Sequence, residues 1–272
     1  GARLVDGTGA GPVDRAVLVV SGDKILSIAT MSEPGTVPSD PERIDVRGKT
    51  ILPGFVNAHG HVGDTSGLES GAQFYKRENL ERQLQLYGRY GITTVFSLGG
   101  DGPVGAGLRS EPPVGRARLF IAGPVITAST AQGAAAEVEK IAAMGVDWLK
   151  FRVDDNLGAT AKMPKAAWKT VIDMGHARQL PVAAHLFYLD DAKDLLREGI
   201  DLIAHSVRDR PVDDEFIELA KSHDVCVVPT LTREVSTFVY ESTPPWFTER
   251  RRRPTSRRCW LSVRRHRSAD TN

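Results

Sequence analysis

His59 and His61 stand one residue apart at the end of an apolar segment, ILPGFVNAHGHV, residues 51–62. Side chains repeat every second residue in an extended chain, so Asn57, His59 and His61 share one side. Paired imidazoles at a strand end fill a core poorly and hold a metal ion well. Taken alone, so short a motif is more often structural. Three further segments change the weighing. In DWLKFRVDD, residues 147–155, alternation puts Leu149, Phe151 and Val153 on one face and Trp148, Lys150 and Arg152 on the other. If the apolar face packs on helices, Lys150 points inward, where an ammonium must lose its proton or gain a partner. A neutral amine can take up carbon dioxide as a carbamate able to bridge two metal ions. The plain alternative is a lysine snorkelling past the strand end. PVAAHLF (181–187) and DLIAHSV (201–207) place His185 and His205 at matching ends of two apolar strands, twenty residues apart. One such histidine is ordinarily a hydrogen-bonded core residue; two are harder to dismiss.

The elements that must position these residues follow from periodicity. Residues 16–20 and 24–28 read as a hairpin around Ser21-Gly22-Asp23, and 44–46 as a further short strand, which together make a small β-domain. From residue 51 strands and helices alternate. Strands are expected over 92–98, 119–122, 147–153, 182–186, 202–206 and 225–229. Helices are expected over 80–89, 131–144, 164–178, 190–198 and 212–222. Repeated βα units imply a parallel sheet, open or closed. With the strand ending at His61 there are seven, one short of a (β/α)8 barrel, whose functional groups gather at the C-terminal strand ends.

The order HxH, Lys, His, His on successive strands resembles the amidohydrolase superfamily. ARLVDGTG (2–9), GKTILPGFVNAHGHV (48–62) and IAHSVRDRPVDDEFIELAKSHDVCVVPTLTRE (203–234) are similar to its imidazolonepropionase-like and prolidase-like branch. The resemblance covers about residues 1–247. It implies an incomplete TIM-type barrel over 53–247 beside part of a small β-sandwich, 1–52. It also implies that His59 and His61 bind one metal ion, that His185 and His205 bind another, and that carboxylated Lys150 bridges them. Lys150 and His205 are then catalytic as well. Zinc suits such ligands best, with manganese, iron, cobalt or nickel as alternatives. The implied reaction is hydrolysis of a C–N bond in a small amide, cyclic amide or dipeptide by a metal-activated hydroxide. Tyr188 and Arg208, just past His185 and His205, are candidate substrate contacts. A loop role for Tyr188 is the plainer reading.

The family's eighth-strand aspartate, which moves protons, has no counterpart. After Phe247 the chain changes character. Residues 250–272 carry nine arginines, no lysine and one acid, for a net charge of +8 against −7 for the remainder. We expect 248–272 to be an out-of-frame, disordered tail on a truncated barrel; a basic nucleic-acid-binding tail is the lesser reading. Seven strands would leave an exposed edge, so low stability, aggregation or homo-oligomeric association is expected. The alternative function is then a metal-binding remnant with impaired catalysis. A second departure is local: relatives often carry a Gly-Gly-His loop after the third strand, and residues 128–133, ASTAQG, contain no histidine.

Composition agrees with a globular chain. Of 272 residues 41% are hydrophobic and 25% charged, ordinary values for a soluble domain. No apolar run approaches bilayer-spanning length. Two cysteines, Cys226 and Cys259, make no disulfide framework and fit a cytoplasmic setting. Gly99–Gly102 reads as a loop above the strands, Asp154 and Asp155 as loop caps, and His176 and His223 as surface residues. Asn57 could orient a ligand or simply pack.

Overall fold

The computed structural model describes residues 1–239; the expectations for the arginine-rich stretch lie outside them. Two compact units divide at Phe55/Val56.

In the first, β1 (Ala2–Leu4), β2 (Val13–Ser21), β3 (Lys24–Thr30) and β4 (Thr50–Ile51) form one sheet in the order β3-β2-β1-β4. This sheet is what the described residues provide of the expected sandwich. The β2–β3 hairpin turns at Gly22-Asp23, with Ser21 opposite Lys24, and Gly22 takes the positive φ, +58°, that a two-residue hairpin turn requires. The strand expected at 44–46 does not form. Asp45 instead accepts the backbone N–H of Arg47 and binds its guanidinium, a local arrangement that competes with a sheet ladder.

The second unit alternates strands and helices. Its strands are β5 (Phe55–Gly60, which begins at the boundary), the small antiparallel pair β6 (Thr65–Ser66) and β7 (Glu69–Ser70), β8 (Ile92–Ser97), β9 (Arg118–Ile121), β10 (Leu149–Arg152), β11 (Val182–His185), β12 (Leu202–Ala204) and β13 (Cys226–Val228). The helices are α1 (Arg77–Arg89), α2 (Pro103–Arg109), α3 (Ala131–Ala142), α4 (Lys165–Ala177), α5 (Leu189–Arg197), α6 (Asp214–Ser222) and α7 (Leu231–Val239). The sheets run β5-β8-β9 and β10-β11-β12-β13, the latter parallel throughout. Backbone bonds link the end of β9 to the approach to β10, with Asp147 N–H and Trp148 N–H donating to Ile121 O. Beyond β9, Ile126 donates its N–H to Lys150 O and accepts at its carbonyl from Arg152 N–H. Helices α2 and α7 were not foreseen. Three glycines and three prolines from 102 to 113 mask the first, and the second is a single short amphipathic stretch. Among the described residues no helix is long and apolar enough to cross a membrane.

Alternation sorts the core into two sides. Leu149, Phe151, Val182, Ala184 and Ile203 join the large cluster with helix residues such as Leu80, Leu84, Val138, Val171 and Leu195. Complete burial of each such leucine stabilises the fold by about 1.5–3 kcal/mol. Ala183, Leu202 and Ala204 face the other way, onto Leu98 and Ala122, with Phe96, Trp148 and Val228 against them. Caps set helix starts where the chain emerges. Thr130 Oγ1 accepts from Gly133 N–H at α3, and Asp213 accepts from Phe216 N–H at α6.

Candidate metal centre

His59 of β5, His61 just after it, His185 at the end of β11, His205 just past β12 and Lys150 of β10 meet on the inner side of the strands. His59 and His61 ring centroids are 5.4 Å apart, His59 and His205 4.6 Å, and His185 and His205 4.3 Å. Lys150 is 2% exposed, and its Nζ lies 3.4 Å from His59 Nε2. Its inward direction follows from Leu149 and Phe151 facing the helices.

Each imidazole is held differently. Asn57 Oδ1 accepts the backbone N–H of His59, and Asn57 Nδ2 donates to Tyr87 Oη, so Asn57 braces the motif. His61 Nδ1 lies 3.0 Å from the Gly99 carbonyl. His185 Nε2 lies 2.9 Å from Asp154 Oδ2, while Asp154 Oδ1 accepts from Asn156 N–H. Asp154 is therefore both a loop cap and a support for His185. His205 Nδ1 lies 2.8 Å from Thr230 Oγ1. His59 Nδ1 is buried and without a hydrogen-bond partner.

His205 corrects the sequence reading. It is not the equivalent of His185, because the register pairs His185 with Ala204. Regular alternation would send His205 to the helix side with Ile203. A left-handed backbone, φ +79°, turns it inward instead, at a strain of about 1–3 kcal/mol.

Electrostatics favour neutral donors. Burial, assisted by Lys150 and the neighbouring imidazoles, pushes His59 down to about 2. Burial and the neighbouring rings of His185 and His59 do the same to His205, also to about 2. His61 is lowered by loss of solvation, opposed by the Gly99 carbonyl. Burial alone brings Lys150 down to about 7. Burial would raise the Asp154 carboxyl, but His185, the Asn156 N–H and Arg152 outweigh it and hold it below the usual range.

Tyr188 and Arg208 are already engaged. Tyr188 Oη donates to Asp155 Oδ1 at 2.9 Å, and Lys162 Nζ sits 4.0 Å from the ring centroid. Arg208 donates to the Leu186 carbonyl, pairs with Glu234 at 3.4 Å and stacks on Phe187. Its Nε is buried and without a hydrogen-bond partner. His176 bonds Asp201 on the surface, and His223 is exposed. Thr230, Gly99 and the support role of Asp154 went unrecognised in the sequence, since a lone threonine or glycine after a strand carries no motif.

No family model matches the chain. It is 29% identical over 192 residues to an uncharacterised protein of Mycobacterium bovis, a match covering 68% of this chain and 51% of that one. The chain thus spans about half the length of that relative. A shorter match, 44% over 46 residues, 16% of this chain and 8% of the other, is to an N-substituted formamide deformylase of Arthrobacter pascens. Among solved structures, a Xaa-Pro dipeptidase with methionine bound in its active site superposes with TM-score 0.69 at 19% identity, over 88% of this chain and 67% of that one. A protein described as an amidohydrolase superposes with TM-score 0.71 at 20% identity, over 90% and 69%. The chain has an amidohydrolase-type fold, in keeping with the resemblance carried by its motifs.

Proposed function

We propose that this chain carries the metal centre of a hydrolase that cleaves an amide-type C–N bond in a small molecule such as a cyclic amide or dipeptide. One observation carries the reading: a buried lysine, lowered to about 7, lies 3.4 Å from His59 where three further imidazoles gather. The hydrolase structures of the same fold and the formamide deformylase match support the reaction class.

The donors fit a divalent ion in chemistry. Neutral imidazoles offer lone pairs, and His59 Nδ1 is a buried nitrogen without a hydrogen-bond partner. Among the described residues no three His, Cys, Asp or Glu groups stand in ligand geometry as they are, so the fit lies in donor type rather than in a finished coordination shell. His59, His61, His185 and His205 would hold zinc, or manganese, iron, cobalt or nickel in its place. Such an ion supplies Lewis acidity, lowering the pKa of water and polarising a carbonyl.

The chain's own groups do the rest. The neutral form of the Lys150 amine, which burial makes accessible near pH 7, adds to carbon dioxide: a C–N bond forms, one proton leaves the nitrogen, and an anionic carbamate replaces the neutral amine. The negative charge so gained is balanced where cations are held beside it, whereas a buried ammonium there would be repelled. Asp154 orients His185, Asn57 braces the HxH turn, and Tyr188 and Arg208 remain the candidate substrate contacts, each exchanging a protein partner for the substrate. Closure of the seven strands into a barrel wall is part of the same reading.

Metal content tests it. Zinc-reconstituted protein should retain tightly bound metal, and His59→Ala, His185→Ala and Lys150→Met should each weaken retention and abolish hydrolysis across a panel of cyclic amides and dipeptides. Folded protein that keeps no zinc, or variants that keep as much as the parent, would sink the proposal.

A further inference from the structure

We infer that Thr230 is a positioning residue for His205: its hydroxyl takes the Nδ1–H of that ring and leaves Nε2, with its lone pair, as the nitrogen presented to a ligand. The inference rests on the reading of His205 as a metal-binding residue.

The geometry begins in the backbone. β12 ends at Ala204, and His205 reaches the inner side only through its left-handed φ of +79°. β13 holds that turn. His205 N–H donates to Val228 O at 2.9 Å, and Ser206 Oγ donates to Pro229 O at 2.8 Å. Thr230 itself has φ +50°, an outlier for a β-branched residue. Its carbonyl accepts Arg233 N–H at 2.9 Å as α7 begins, so the strained residue is pinned on its C-terminal side too. Strain that survives only because surrounding bonds over-determine it is a mark of functional positions.

A threonine at a helix start ordinarily turns its hydroxyl to the helix's own N–H groups. Here the hydroxyl stands 2.8 Å from His205 Nδ1 instead. The direction of the bond decides the chemistry. If the hydroxyl donated, the ring proton would sit on Nε2, amid the donor-rich cluster of Lys150 and the other imidazoles. If Nδ1–H donates, Nε2 offers a lone pair there. Partners on the non-ligating nitrogen fix tautomer and ring angle in metal sites generally, and their removal costs about 10–100-fold in affinity.

The test uses the full chain, 15N-labelled, first without metal. Long-range proton–nitrogen correlation should show His205 as the Nδ1–H tautomer in the parent and in Thr230→Ser, and a mixed or Nε2–H ring in Thr230→Val. Zinc affinity, read by competition with a chromophoric chelator, should fall about 10–100-fold in Thr230→Val and recover in Thr230→Ser. An Nε2–H tautomer in the parent overturns the inference even if Thr230→Val fails to fold. So does a folded Thr230→Val with parental tautomer and affinity. A zinc affinity that neither Thr230→Val nor His205→Ala moves, beside a shifted tautomer in Thr230→Val, supports the positioning role and removes the metal reading instead.

Discussion

His59 and His61 take their restraints from the motif's own strand and from a backbone carbonyl: Asn57 braces one, Gly99 the other. His185 and His205 take theirs from side chains on other elements, Asp154 after β10 and Thr230 after β13. The first pair is therefore anchored locally and by main chain. The second is anchored at a distance, by groups a single substitution removes. The proposed metal centre thus has one half held by its own strand and an adjacent loop and one half that depends on the whole sheet holding its register.

The largest expected effect probes the main-chain half. Asp101 is 2% exposed and ties the Gly99–Gly102 loop to the end of β9 through Ala122 N–H. Burial raises its carboxyl to about 7, against opposing donors from Ser97, Ala122, Gly99 and Gly123. The folded protein then keeps a proton that the unfolded chain releases near 3.8. Between those values the native state binds more protons, so stability falls as pH rises. About three pKa units correspond to roughly 4 kcal/mol. Urea denaturation from pH 4 to 8 should show this decline in the parent, and Asp101→Asn should flatten it. Parallel curves would mean that the loop is not held by this carboxyl.

Next in size is Gly99→Ala. Gly99 has φ +132°, and an added Cβ would come within 2.4 Å of Val125 Cγ2 and 3.5 Å of His61 Cε1. A loss of about 1–3 kcal/mol is expected from the strained backbone, together with weaker zinc binding through the displaced acceptor of His61. Unchanged stability and affinity would show that His61 does not need this carbonyl.

The smallest effect concerns the side-chain half. Asp154→Asn keeps the shape and the Asn156 contact but removes the charge beside His185. Zinc affinity should drop about 10–100-fold, or roughly 1.4–2.8 kcal/mol, with little change in urea midpoint. A large fall in stability with intact affinity would make Asp154 a loop cap alone.

Much of this was legible from residue types. Alternation in DWLKFRV puts Lys150 opposite Leu149 and Phe151, and the fold keeps it there because a hydrophobic face needs helices to cover it. The expected strands at 92–98, 182–186 and 202–206 formed because short β-branched or alanine-rich runs between helices have few other ways to satisfy their backbone. The strand expected at 44–46 failed because Asp45 and Arg47 satisfy each other locally. Helix α2 escaped notice because glycine and proline obscure a period that packing of Leu108 nonetheless stabilises.

By itself the sequence determined the candidate donors, four imidazoles at strand ends and one amine within a strand, since ligand chemistry belongs to side-chain type and facing belongs to period. Only the tertiary structure decided that His205 joins them. Alternation points that ring at the helices, and the hydrogen bonds from β13 hold the left-handed backbone that turns it to the other side. A backbone conformation that costs energy locally exists only where neighbours far away in the chain compensate it, so no local reading of DLIAHSV reveals it.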